Sequence, residues 1–258
     1  MCQPATATPQ EHSRTGHTKA RHRDDQLRPV PRFIFPSLNI ATPSMHVTRI
    51  IAIRHGETAW NVDTRIQGHL DIPLNEIGEW QAQQAGQALA DESVDAIYSS
   101  DLKRAYATAE AVARTTRAPL HSTQGLRERS FGDFQGRTFA QIEAELPDQA
   151  MRWRKRDPEF IPGGGGESLT MLRSRIEHTV NELASQHPNE QIVLVAHGGV
   201  LDVLYRLATK LDLQAPRTWQ LTNAAINRLL WTPDNGLALV GWADTEHLNQ
   251  QSRDETHS

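Results

Sequence analysis

The sequence predicts an α/β fold, a three-layer α/β/α sandwich whose mostly parallel central sheet is wrapped on both faces by helices. Three observations predict it. Short apolar, β-branched runs alternate with segments of helical spacing. The 258 residues, 38% of them hydrophobic, suffice for a sizeable core, and single α/β domains reach about 250 residues. No apolar run approaches the roughly 18 residues of a membrane span, so the helices must bury one face against a sheet.

The pattern begins at residue 46. Residues 49–53 (RIIAI) read as a buried strand. Asn75 is placed to cap a helix in which Ala82, Ala85 and Leu89 recur at helical spacing. Residues 94–98 predict a second strand. Ser99, Ser100 and Asp101 are cap candidates for a helix striped by Leu102, Ala105, Ala109 and Val112. Residues 120–126 predict a further strand. After a long polar and aromatic stretch, Ser168 opens a helix with Leu169, Leu172, Ile176, Val180 and Leu183 on one face. Residues 191–196 (QIVLVA) form the clearest strand, and a helix follows over 199–211. Residues 226–231 and 237–242 flank Pro233-Asp234-Asn235-Gly236 and predict a hairpin.

Domain organisation follows from composition. Residues 1–44 hold six of the fourteen prolines, one of the sixteen glycines, and six basic against three acidic residues. Their longest apolar stretch, Phe33-Ile34-Phe35, is cut by Pro36 and is too short for a signal-peptide core. Residues 1–45 are therefore expected to be a disordered extension, with a transit-like or partner-binding arm as the alternative. Met45 stands where the folded chain would start. The domain is expected over 46–247, a polar tail over 248–258, and the location in the cytoplasm. Net charge is −4, and −7 without the arm, which gives no reason to expect a nucleic-acid partner. Cys2 is the only cysteine, which leaves no internal disulfide, cysteine zinc site or CxxC motif. Twelve histidines are the unusual count.

In open α/β sheets, ligands bind at the carboxyl ends of the strands. Those ends read Arg54-His55-Gly56-Glu57, Ser99 to Arg104, Leu126-Arg127-Glu128-Arg129 and His197-Gly198-Gly199. Two histidines, arginines and a glutamate thus converge on one rim. Arg104 falls in the first turn of its helix, where the dipole gives a cation no advantage; the placement makes sense if an anion binds there. With Arg54 it makes a pair suited to a phosphate dianion.

Arg54-His55-Gly56-Glu57-Thr58-Ala59-Trp60-Asn61 resembles the signature of the histidine phosphatase superfamily, with its phosphoglycerate mutase-like fold. The resemblance continues through Arg65-Ile66-Gln67-Gly68, Pro73-Leu74-Asn75, Ser99-Ser100-Asp101-Leu102-Lys103-Arg104-Ala105 and Leu126 to Gly132. It ends with Gly166-Glu167-Ser168 and Val195-Ala196-His197-Gly198-Gly199, in the family's order over about residues 48–245. It implies a phosphatase acting on small phosphomonoesters such as sugar phosphates or phosphoglycerate-like metabolites. His55 would be the nucleophile that forms a phosphohistidine, and Glu128 the general acid, protonated at the start by a raised pKa. Arg54, Arg104 and His197 would cradle the phosphoryl oxygens and Asn61 would touch them, while Gln67 and Gly68 would face the rest of the substrate. No cofactor and no metal are implied; oligomeric state is left open.

Other readings compete. Glu128 could pair only with Arg127 or Arg129, and Glu57 with a local donor. A metal site from His55, Glu57 and His197 is disfavoured by the two arginines, which would repel a cation. His69, His121, His178 and His187 read as surface residues. Gly163 to Gly166 lacks a Gly-Lys-[Ser/Thr] ending and reads as a flexible entry to the helix capped near Ser168. The stretch 136–163 is a short cover, which favours a phosphatase over a cofactor-dependent mutase with a longer insertion. Arg152, Arg154, Lys155 and Arg156 there would either attract a second anionic group, such as that of a phosphorylated sugar acid, or form a solvated face. Trp153 and Phe160 would pack the cover down. A non-catalytic phospho-ligand or partner-binding protein is the alternative of another class.

Overall fold

The computed structural model describes residues 46–249. The extension predicted over 1–45 and the tail from residue 250 lie outside the described residues. In chain order the elements are β1 (Thr48–Arg54), α1 (Ala59–Val62), α2 (Glu76–Ala88), β2 (Ala96–Ser100), α3 (Lys103–Thr116) and β3 (Leu120–Thr123). There follow α4 (Phe139–Glu145), α5 (Pro147–Arg154), α6 (Leu169–Ser185), β4 (Gln191–Ala196), α7 (Gly198–Thr209), β5 (Ile226–Thr232) and β6 (Gly236–Asp244).

One six-stranded sheet runs in the order β3-β2-β4-β1-β5-β6. The first four are parallel, and the predicted hairpin adds β5 and β6 antiparallel at one side. Every residue of β4 is buried, as expected of a central strand covered on both faces. The period of two sorts β1 between layers. Ile50 and Ala52 join Leu172, Ile176 and Leu204 of α6 and α7, while Ile51 and Ile53 join Ala105, Ala109 and Val112 of α3. A third cluster, Phe134, Ile142, Ala150 and Phe160, holds the cover together. Among the described residues no helix is long and apolar enough to cross a membrane.

Boundaries differ from the sequence reading where tertiary partners intervene. Asn75 and Ser168 cap α2 and α6 through Gly78 N–H at 2.8 Å and Met171 N–H at 3.1 Å. For α3 the cap candidates Ser99, Ser100 and Asp101 are corrected: the cap position is Leu102, without a side-chain bond. Lys103 N–H instead donates to Asp71 at 2.7 Å, from a distant loop, and Asp101 is drawn away to Arg127. The strand expected over 120–126 pairs only through Thr123. There the Thr123 hydroxyl accepts from Gly125 N–H and starts a 3-10 turn, which aims residues 127 and 128 at the sheet's rim.

Candidate active site

Arg54 pairs with Ala196 across β1 and β4, so His55 and His197 leave the sheet side by side, with ring centroids 5.2 Å apart. His55 is 3% exposed. Its Nδ1 lies 2.7 Å from the Gly56 carbonyl, which can only accept, so Nδ1 carries the proton and Nε2 keeps its lone pair. Burial, then Arg104 and Arg54, hold its pKa well below 6.5. The ring is neutral at pH 7. Asn223 Nδ2 donates to the His55 carbonyl at 2.9 Å, and Thr108 accepts from Gly56 N–H at 3.0 Å. A Cβ at Gly56 would meet the Gly78 carbonyl at 2.3 Å, so only glycine lets α2 approach this closely.

His197 sits at the N-terminus of α7, fully buried. Neither ring nitrogen has a partner, and burial, then Arg104, His55 and Arg54, push its pKa well below 6.5 as well. Arg104 occupies the second position of α3 and is 1% exposed, which rules out a solvated surface arginine. It donates to the carbonyls of Leu70 and Gly68, each at 2.8 Å, while its Nε is unpartnered. Burial lowers its pKa to about 10, which still leaves it charged at pH 7. Half-buried Arg54 donates Nη1 to the Leu221 carbonyl, and its Nε is likewise unpartnered.

Glu128 pairs with neither neighbouring guanidinium. Its Oε1 accepts from Arg129 N–H at 2.8 Å and its Oε2 from Gly199 N–H at 3.0 Å, in the first turn of α7. Arg127 is spent on Asp101, and Arg129 on the carbonyls of Glu167 and Phe160. The Glu128 carbonyl receives His69 Nε2 at 2.8 Å and Arg175 Nη2 at 3.3 Å. Arg175 is in turn held by both oxygens of Glu167, which gives the Gly166-Glu167-Ser168 segment a physical purpose. Asn61 closes a capping box with Thr58; its Oδ1 also lies 3.4 Å from Asn223 Nδ2. Gln67 is 8% exposed with Oε1 unpartnered. Gly68 has φ +54, and a Cβ there would meet Gln135 at 2.1 Å.

Several readings change. His69 is half-buried and bonds the Glu128 peptide. His187 bonds Tyr98 OH at 2.8 Å and Glu190 at 2.6 Å, so neither is a plain surface residue, whereas the side chain of His178 is 83% exposed. Glu57 accepts from Asn75 Nδ2 at 2.8 Å, the local partner expected of it. The loop 163–166 is pinned, not flexible: Gly163 accepts from Asp133 N–H at 2.9 Å, and a Cβ on Gly163 or Gly164 would strike the Asp133 carboxylate. Within the cover, Arg152 and Arg154 are paired with Asp157 and Glu143. Arg156 alone of these reaches Asp202, at 2.7 Å. Trp153 stacks on Phe131 and Phe134 at 5.3 and 5.2 Å.

A cavity of about 720 Å³ opens beside Arg54, Gly198 and Gly199 and runs under the cover past Trp153, Arg156 and Arg217. Asn223, Thr108, Arg175 and Trp219 were not singled out from the sequence. They lie inside helices or a late loop, and nothing in local spacing marks them.

Residues 50–245 match the histidine phosphatase superfamily (branch 1). The chain is 34% identical over 203 residues, 78% of its length and 87% of the relative's, to phosphoglycerate mutase-like protein 4 of Arabidopsis thaliana. It is 35% identical over 205 residues, 79% of its length and 84% of the relative's, to a metal-independent phosphoserine phosphatase of the same plant. The solved structure of a mycobacterial glucosyl-3-phosphoglycerate phosphatase superposes with a TM-score of 0.69 at 34% identity, covering 77% of this chain and all of that one, 100%.

Proposed function

The chain belongs to the histidine phosphatase superfamily, and from that premise we propose that it hydrolyses small phosphomonoesters through a phosphohistidine on His55. One observation carries the reading. A buried neutral imidazole, its Nδ1–H fixed on the Gly56 carbonyl, keeps Nε2 free among arginine and histidine nitrogens that have no protein partner.

The substrate phosphoryl group enters against Arg54, Arg104 and His197, whose unpartnered nitrogens suit its oxygens. Charge spreads over those oxygens in a loose transition state, so donors fixed in advance are the main catalytic device. His55 Nε2 attacks phosphorus in line, and the P–O bond to the leaving alcohol breaks. Glu128, across the pocket, gives its proton to that oxygen. Water then attacks the phosphohistidine while the Glu128 carboxylate takes a proton from it, and inorganic phosphate leaves. Asn61 supplies a further phosphoryl contact through Nδ2, since its Oδ1 is occupied; Gln67 and Gly68 border the remainder of the substrate. The names of two relatives, a phosphoserine and a glucosyl-3-phosphoglycerate phosphatase, support a small phosphorylated metabolite as substrate.

The test is chemical trapping. After brief mixing with a labelled phosphomonoester, wild-type protein should carry acid-labile phosphate and release inorganic phosphate; protein that traps none and releases none is a binder, not a phosphatase. Two short helices form the cover, which leaves the pocket open to water and favours hydrolysis over transfer between hydroxyls. Given 3-phosphoglycerate with 2,3-bisphosphoglycerate, the protein should release phosphate faster than it forms 2-phosphoglycerate; the reverse would make it a mutase.

Glu128→Gln should lower kcat/KM for alkyl phosphates by about 10²- to 10⁴-fold. The amide cannot donate a proton to the leaving oxygen, and its NH₂ would confront one of the two backbone N–H groups that the carboxylate now accepts. p-Nitrophenyl phosphate, whose leaving group needs little protonation, should lose far less. Equal losses on both substrates would remove Glu128 from the acid role.

A further inference from the structure

Seven buried side-chain polar atoms among the described residues have no hydrogen-bond partner. Buried polar groups are normally satisfied, so each such atom asks for an explanation. Five belong to Arg54, Gln67, Arg104 and His197, where the phosphoryl group is proposed to bind. The other two, Asp202 Oδ1 and Trp219 Nε1, belong to side chains that both line the adjoining cavity.

These side chains are built into place. Asp202 is 6% exposed, and its Oδ2 accepts from Arg156 Nη2 at 2.7 Å and Arg206 Nε at 3.0 Å. Trp219 is 7% exposed; its ring stacks on Tyr205 at 4.0 Å, with the Arg206 guanidinium 4.8 Å from its centroid. Arg217, on the rim, is exposed and has no acidic partner among the described residues. The stacked pair Phe131 and Trp153 adds an apolar wall.

We infer that this cavity is the leaving-group subsite and that it takes the polyhydroxylated, carboxylate-bearing alcohol of a sugar-acid phosphate, an inference that rests on the phosphatase reading. A carboxylate oxygen only accepts and an indole N–H only donates, whereas a hydroxyl does both and satisfies the pair. An ammonium group would leave the indole unpaired and would face Arg156, Arg206 and Arg217. An alkyl chain would leave both atoms unpaired at the cost of their desolvation. Carbohydrate C–H faces suit the aromatic wall, and Arg217 offers its planar guanidinium to a carboxylate.

Calorimetry on His55→Ala protein tests this without turnover, using 6-phosphogluconate, glucose 6-phosphate, O-phosphoserine and inorganic phosphate. 6-Phosphogluconate should bind about tenfold tighter than O-phosphoserine. Adding Trp219→Phe, which keeps a ring and removes only the N–H donor, should weaken both sugar phosphates about fivefold relative to inorganic phosphate. Adding Arg217→Gln, at an exposed site, should weaken 6-phosphogluconate about fivefold relative to glucose 6-phosphate. Equal effects on all four ligands, a preference for O-phosphoserine, or no binding of any of them would overturn the assignment. Failure of the phosphatase reading would show elsewhere, as wild-type protein that traps no phosphate while these binding preferences persist.

Discussion

Replacing His55 with alanine is expected to lower kcat by about 10⁵-fold or more, the scale seen when a covalent nucleophile is removed from its catalytic unit, and to abolish trapped phosphate. No neighbouring group can take over. His197 lies close, with its ring centroid 5.2 Å away, but neither of its nitrogens is bonded to a carbonyl that would fix its tautomer. Attack also has to be in line with the bond that breaks, and a ring displaced and tilted by 59° approaches phosphorus along another direction. The arginine cradle survives the substitution, so binding of inorganic phosphate should persist while turnover is lost. That split is the useful part of the measurement. A variant that binds phosphate but retains more than about a hundredth of wild-type kcat would show that the nucleophile is another group.

What the sequence could reveal follows from how each feature is encoded. The sheet core was legible because β1 and β4 are continuous apolar runs, and their carboxyl ends named Arg54, His55 and His197 directly. Glu128 was found by its place after a strand, although the pairing that ends at Thr123 and the 3-10 turn that aims it were not. The caps of α2 and α6 are local and were read correctly. The cap of α3 comes from Asp71, a residue 32 positions away from Lys103, so no window around the helix contains it. The same limit applies to the cavity. Asp202 lies on α7 and reads as one polar position in an apolar helix, and Trp219 lies in a late loop. Only the fold brings them to Arg54, and only the orphaned atoms show that a partner is wanted there. The cover helices α4 and α5 are short and mixed in polarity, with a core of their own, which hid them from a search for long stripes.

The buried histidine pair should also set the protein's response to acid. His55 and His197 are held neutral in the native state, with burial the largest cause for each and Arg104 the next, whereas in the unfolded chain both titrate near 6.5. Between 6.5 and the far lower native values, the unfolded state binds protons that the native state cannot. Stability from this source is therefore complete above pH 6.5 and is lost as the pH falls below it. Each fully mismatched histidine contributes a slope of about 1.4 kcal/mol per pH unit, so the pair contributes about 2.7. Urea denaturation at pH 7.5, 6.5 and 5.5 should show a flat upper interval and a steep lower one. His197→Asn should roughly halve the lower slope, because one proton-linked group is gone. Saturating phosphate should flatten it further, since a bound dianion favours the imidazolium forms that the two arginines oppose. An unchanged slope in the variant would place the acid sensitivity elsewhere. Retention of the slope without both histidines would separate it from this pocket altogether, and with it the idea that the pocket sacrifices acid stability to keep a nucleophile unprotonated.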